Sequence, residues 1–321
     1  MASIVRTDRR AALGRHRPDR RDAEPMTGRE LHSHWRNASG IEGGDGLHDA
    51  LFPYWSFTKT AIAICALKLV ERGMLALDTP LDRQPYTLRQ LLRHSAGLPD
   101  YGTLTAYHEA VTRGDTPWSR EEVLDKALTQ GMLFLPDGGW AYSNIGYLLV
   151  RGMIEDATGQ ALGAVLHDLI IEPLGLESVA FWDNLEQSKQ LHWDAAQRYD
   201  PNWVYHGCLI GTASDAVSLL DGLIHGALLP RPLLDQMLDK RILGGAIAGR
   251  PWSQCGYALG LMSGEVTDFG RAIGHSGAGP FCVNAVYHFP DRADPITVAC
   301  FSDGTDEGVP EFEAARIARS D

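Results

Sequence analysis

Ser56-Phe57-Thr58-Lys59 sets a hydroxyl and an amine three residues apart, a spacing that in a helix puts both side chains on one face, about 5–6 Å apart at Cβ. That is close enough for a direct hydrogen bond. Ser56 would stand in the first helical turn, where unpartnered backbone N–H groups and the helix dipole add positive potential. With desolvation by the flanking Tyr54, Trp55 and Phe57, this would depress the Lys59 pKa and let the amine act as a base. The spacing alone is a weak signal: sixteen Ser and five Lys give about a quarter of one such pair by chance. An N-cap serine followed by a surface lysine would read the same.

Further along, Tyr142-Ser143-Asn144 stands directly ahead of a helical pattern. This triplet, followed by IGYLLVRGMIEDATGQ and IIEPLGL, is similar to the Y-x-N segment of class C β-lactamases, D-alanyl-D-alanine carboxypeptidases and the family VIII carboxylesterases, all within the penicillin-binding protein family. The resemblance implies that the Tyr142 phenol and the Asn144 amide face Ser56. A phenolate beside an ammonium could shuttle the serine proton, and the amide could bind both the lysine and a substrate carbonyl.

Gly274-His275-Ser276-Gly277-Ala278 resembles the family's K-T-G or H-T-G strand. The resemblance implies that His275 offers a polar or cationic contact and that Gly277 lets a substrate backbone lie against the strand. It also implies an oxyanion hole from the backbone N–H groups of Ser56 and Ala278. Because the family more often has lysine where His275 stands, its charge depends on its surroundings. The same pentapeptide has the form of a G-x-S-x-G elbow, but an elbow needs a helix right after Ser276, and GAGPFCVNAVYHF reads as loop and strand.

These residues need positioning elements. TKTAIAICALKLVERG reads as a buried helix ending near Gly73, and shorter helices follow over 87–93, 119–131, 145–158, 160–171, 213–226 and 231–239. Residues 29–38 form a weak strand candidate and 40–46 read as loop, whereas YALGLMSGEV, RAIGHSG, FCVNAVYHF and ITVACFS read as consecutive antiparallel strands. PEFEAARIARS closes the chain as an amphipathic helix. The expected fold is α+β: an antiparallel sheet flanked by helices, with a large, mostly helical insertion. Residues 28–55 and 251–321 would supply the sheet part, 56–250 the helical part, and the active site would lie at their interface. Similar segments at 75–82, 86–101 and 209–223 extend the resemblance over about 51–303. His94 reads as structural. Asp100, Tyr101, Trp193, Trp203 and Tyr205 fit cleft lining or plain packing equally well.

The composition narrows the partners. Residues 1–36 hold nine Arg against five acidic residues, +4, which leaves −16 of the total −12 charge for the remainder. An acidic body argues against nucleic acid, and no apolar run approaches the ~20 residues of a spanning helix, so no membrane partner is expected. Residues 1–27 read as a polar, Arg-rich tail without a recognisable export signal, which makes the expected location cytoplasmic and favours an esterase or D-amino-acid amidase over a cell-wall enzyme or β-lactamase. The five cysteines lack metal-site spacing, and acyl transfer through a serine requires neither metal nor organic cofactor. The expected function is serine hydrolysis of a small ester, amide or lactam through an acyl-enzyme on Ser56. The alternatives are an acyltransferase on the same fold and a non-catalytic binding or scaffolding member.

Overall fold

Cys282–Phe289 and Ile296–Asp303 are buried along almost their whole length, so both must be strands covered on two faces. In the computed structural model, which describes residues 29–319, they lie in an antiparallel sheet of eight strands. In chain order these are β1 (Leu31–Asn37), β2 (Glu42–Gly44), β6 (Arg241–Gly244), β7 (Trp252–Tyr257), β8 (Met262–Val266), β9 (Gly270–Ala278), β10 (Cys282–Phe289) and β11 (Ile296–Asp303). Their spatial order is β2-β1-β11-β10-β9-β8-β7-β6. The remaining strands, β3 (Phe52–Pro53), β4 (Ala180–Phe181) and β5 (Leu209–Gly211), form a small separate sheet ordered β3-β5-β4.

The helices are α1 (Thr58–Glu71), α2 (Leu88–Leu92), α3 (Thr105–Arg113), α4 (Arg120–Leu128), α5 (Asn144–Thr158), α6 (Leu162–Leu166), α7 (Glu172–Leu174), α8 (Leu185–Ser188), α9 (Ala213–Ile224), α10 (Arg231–Leu238) and α11 (Gly308–Arg319). A π-helical turn, His167–Ile171, joins α6 to α7. α1 is buried from Thr58 to Leu67, consistent with an apolar sequence that shows no polar face. α5 and α6 pack against it, and α2 against α5.

Alternation along the central strands sorts the core into two layers. Ala285, Tyr287 and Phe289 of β10 meet Ala314, Ala315 and Ile317 of α11 on one face. Cys282 and Val286 turn to the other face, which shares its core with α1, α5 and α9. This is the α+β arrangement expected, with the first strand, β1, hydrogen-bonded to the last, β11. The sheet is wider than the sequence pattern indicates. β2 arises within the 40–46 stretch expected to be loop, and β6 pairs with β7, so the sheet begins at Arg241 rather than 251. α9, within the 56–250 segment, packs directly on β11 and β1. The 1–27 tail lies outside the described residues.

Candidate active site

Ser56 occupies a single 3-10 turn, Trp55–Phe57, that runs straight into α1. Three bonds fix this turn from a distant part of the chain. The Tyr54 amide donates to the Leu209 carbonyl (2.8 Å), the Tyr54 hydroxyl donates to the Thr212 carbonyl (2.7 Å), and the Leu209 amide donates to Thr58 Oγ1 (2.9 Å). Trp55 has φ 43°, in the left-handed region, at a cost of about 1–3 kcal/mol for a non-glycine residue. Its indole is held edge-on by Trp182, Tyr199 and Phe281, and its Nε1 donates to Cys282 Sγ at 3.1 Å. The turn rests on β9. A Cβ at Gly277 would come within 2.8 Å of Trp55 Cβ, and one at Gly279 within 2.2 Å of the indole. The space at Gly277 is thus taken by the serine turn and the Asn284 amide, not kept open for a substrate backbone as the resemblance implied.

Ser56 Oγ receives two side chains. Lys59 Nζ lies 3.1 Å away, and the Tyr142 hydroxyl donates to it at 2.8 Å. Lys59 has no solvent exposure, and burial pulls its pKa from 10.5 down to about 7, with the Asp100 carboxylate opposing the shift. Its Nζ stands 5.0 Å from the centre of the Tyr142 ring and 5.6 Å from that of Tyr147, within cation–π range. Burial moves the Tyr142 phenol well above its ordinary pKa, so the group here is a neutral phenol and not the phenolate considered from the sequence.

Asn144 opens α5. Its backbone amide and its Nδ2 both donate to Asp100, at 2.9 and 3.2 Å, and among the described residues no hydrogen bond joins it to Lys59. Ser143 caps α5, its Oγ accepting from the Gly146 amide, and Asp100 adds a bond to the first helical amide; burial raises the Asp100 carboxyl pKa.

His275 lies within a chain of buried rings whose tautomers can be deduced. His94 Nδ1 accepts from the Ser143 amide at 3.1 Å, so its Nε2–H must donate to the Tyr257 hydroxyl, 3.2 Å away. That hydroxyl then donates to His275 Nε2 at 2.9 Å, and His275 Nδ1–H donates to the Ser276 carbonyl. Burial, with Lys59 close by, lowers the His275 pKa to about 3. Both ring nitrogens of His275 thus face protein partners, and burial disfavours the cationic contact that the resemblance implied. The His94 ring lies 4.3 Å from that of Tyr142, tilted by 38°, which shows what its structural reading amounts to: it supports the phenol.

Ser276 points to the opposite face of β9. Its Oγ donates to Glu307 at 3.0 Å and accepts from Arg250 at 2.9 Å, and strand continues on both sides of it, which disposes of the elbow reading. Arg250 also pairs with Glu311, whose carboxylate accepts from the Tyr287 hydroxyl and Trp252 Nε1. Ala278 ends β9. β8 pairs with β9 only as far as Gly274, so among the described residues the backbone beyond it has no strand neighbour on that side.

One group at this site escaped the sequence reading. His206 Nε2 lies 3.0 Å from Lys59 Nζ, both fully enclosed, and its Nδ1 lies 3.5 Å from the Tyr101 hydroxyl. Burial and the neighbouring lysine keep its pKa well below the usual histidine value. The only sequence signal was a histidine between Tyr205 and Gly207, next to the recognised 209–223 segment.

A β-lactamase family model matches residues 4–320. The chain belongs to the β-lactamase family. Among curated members of this β-lactamase family, it is 26% identical to the esterase EstB of Burkholderia gladioli over 86% of this chain and 84% of that one. It is 28% identical to penicillin-binding protein 4* of Bacillus subtilis, over 49% of this chain and 35% of that protein. The D-amino acid amidase of Ochrobactrum anthropi, solved with L-phenylalanine, superposes at a TM-score of 0.76 with 22% identity, covering 90% of this chain and 95% of that one.

Proposed function

We propose that this β-lactamase-family protein is a serine hydrolase that forms an acyl-enzyme on Ser56, with Lys59 as base and Tyr142 as proton donor. The observation that carries this reading is the meeting of Lys59 and Tyr142 at one Ser56 oxygen, where burial pulls the lysine pKa down to about 7. The neutral amine takes the Ser56 proton as Oγ attacks a substrate carbonyl. The resulting ammonium faces the rings of Tyr142 and Tyr147. The phenol of Tyr142 donates to the departing alcohol or amine and recovers a proton from Lys59; water then repeats the sequence in reverse. The N–H groups of Ser56 and Ala278 stabilise the oxyanion.

His206 orients the lysine. With its proton on Nδ1, facing Tyr101, its Nε2 accepts from Lys59 and leaves the amine lone pair for Ser56.

Neutral His275 supplies no charge for a substrate carboxylate, which favours neutral esters and amino-acid amides over carboxylate-bearing peptides and lactams. The EstB and D-amino acid amidase likenesses point the same way. A cytoplasmic location is supported by five cysteines without a disulfide. Among the described residues, no helix is long and apolar enough to cross a membrane.

The test is intact-mass analysis after a fluorophosphonate, beside hydrolysis of p-nitrophenyl esters, D-alanyl anilide and a chromogenic cephalosporin. One adduct mapping to Ser56 is expected. Ser56→Ala should lose the adduct and at least about 10⁴-fold in kcat/KM. Turnover unchanged by that substitution would discard the nucleophile, and transfer to added alcohols in place of water would make the protein an acyltransferase.

A further inference from the structure

A second polar cluster lies where β1 begins, and the chemistry above makes no use of it. Glu30 precedes β1, and alternation carries Glu30 and His32 on one face. That face meets the 189–193 segment, which is fastened to the chain ahead of Ser56: the His192 amide donates to the Leu51 carbonyl at 2.9 Å. Glu30 Oε1 consequently stands 2.7 Å from His192 Nε2 and 3.1 Å from His32 Nε2. All three atoms lie within 4.8 Å of one another.

The ring of His32 is held from its far side. His32 Nδ1 lies 2.6 Å from Asp45 Oδ2, a carboxylate oxygen that can only accept, so Nδ1 carries a proton. Its Nε2, across the ring, is aimed at Glu30 Oε1 beside His192 Nε2, so two imidazole nitrogens and one carboxylate oxygen converge on one point. The cluster is also braced from outside, since Asp45 fixes the His32 tautomer and Trp193 Nε1 donates to Glu30 Oε2 at 3.2 Å. Carboxylate–histidine pairs and bonded carboxylates of this kind hold the ligands of protein-bound metals. His32 is buried, His192 is about a quarter exposed and Glu30 about half, which leaves an approach from solvent.

We propose that Glu30, His32 and His192 bind a divalent cation of the zinc type that fastens β1 to the 189–193 segment. Two imidazole nitrogens and one carboxylate oxygen suit zinc and its neighbours better than magnesium or calcium, which take oxygen ligands. Bond lengths of about 2.0–2.1 Å in a tetrahedron place ligands about 3.4 Å apart, a spacing the three atoms reach by small side-chain movements, with water at the fourth position. The ion is structural and stands apart from Ser56 chemistry, so the proposal is independent of the function assigned above.

The test is calorimetric titration of the chelator-stripped full chain with zinc, alongside the absorption spectrum of its cobalt(II) complex. One tight equivalent and a tetrahedral cobalt spectrum are expected, with magnesium unable to compete. His192→Ala and Glu30→Gln, both at partly exposed positions, should each weaken binding tenfold or more, and Asp45→Asn should weaken it less. Circular dichroism melts without metal verify that the variants fold. The exposed trio His167, Asp168 and Glu172 is the rival site, and His167→Ala should leave the tight equivalent intact. Absence of a tight equivalent, its survival in His192→Ala, or its loss in His167→Ala would each overturn the proposal.

Discussion

β9 separates two buried cations that have met opposite fates. On the face of His275, Lys59 is enclosed by uncharged groups, and its nearest carboxylate, Asp100, is committed to the first residue of α5. On the face of Ser276, Arg250 is enclosed with Glu311 and Glu307 against it. Burial opposes the charge in both places. It wins at Lys59, whose pKa falls to about 7, and loses at Arg250, whose pKa rises above the usual value because the two carboxylates outweigh desolvation. The fold thus makes a reactive amine and an inert guanidinium on opposite faces of one strand, and the placement of carboxylates decides which is which.

Removing each cation's function should separate the two faces. Lys59→Met should lower kcat/KM for ester hydrolysis by about 10³–10⁴-fold, the size of a general base's contribution. The sign of its stability effect follows from the proton balance. Folded Lys59 releases its proton near pH 7 and unfolded Lys59 near 10.5, so between these values the unfolded chain binds more protons and stability rises with pH. Below pH 7 the folded state carries the whole penalty of a buried ammonium. Lys59→Met should therefore be at least as stable as the parent at pH 6, by urea titration, and a large loss there would break the comparison.

Glu311→Gln should do the reverse. Leaving Arg250 with Glu307 alone should cost about 3 kcal/mol of unfolding free energy by urea titration, while the folded fraction keeps its rate of Ser56 labelling within about tenfold. The smallest effect sharpens the picture on the lysine side. His206→Leu removes an acceptor that favours the ammonium, so kcat/KM should fall about tenfold while the acidic limb of its pH profile moves below pH 7. His206→Gln should keep the limb in place, and an identical profile in both variants would remove His206 from the account.

Much of this was legible beforehand because it rests on local rules. The i,i+3 spacing paired Ser56 with Lys59, and short runs of β-branched and aromatic residues bounded by Gly, Pro or Asp gave β9, β10 and β11. The helical patterns over 87–93 and 119–131 located α2 and α4, and the structure shows Thr87 and Ser119 as their caps. What escaped depends on distant partners. β2 and β6 are short and glycine-rich, and become strands only because β1 and β7 offer hydrogen bonds. His206 acquires meaning only when 147 residues of chain bring it to Lys59. The phenol state of Tyr142 and the neutral charge of His275 follow from burial, which no spacing encodes.

The tie between Leu209 and the serine turn, and the seating of Trp55 on Gly277, bear on the order of synthesis and folding. A ribosome must release β5, β9 and β10 before the turn at Ser56 has anything to rest on. Contacts of such long sequence separation form late and slowly. The left-handed Trp55, costly in isolation, then has no support in a partly made chain. Nascent or truncated forms should therefore be chemically silent, and acylation of Ser56 becomes a readout of completed tertiary structure.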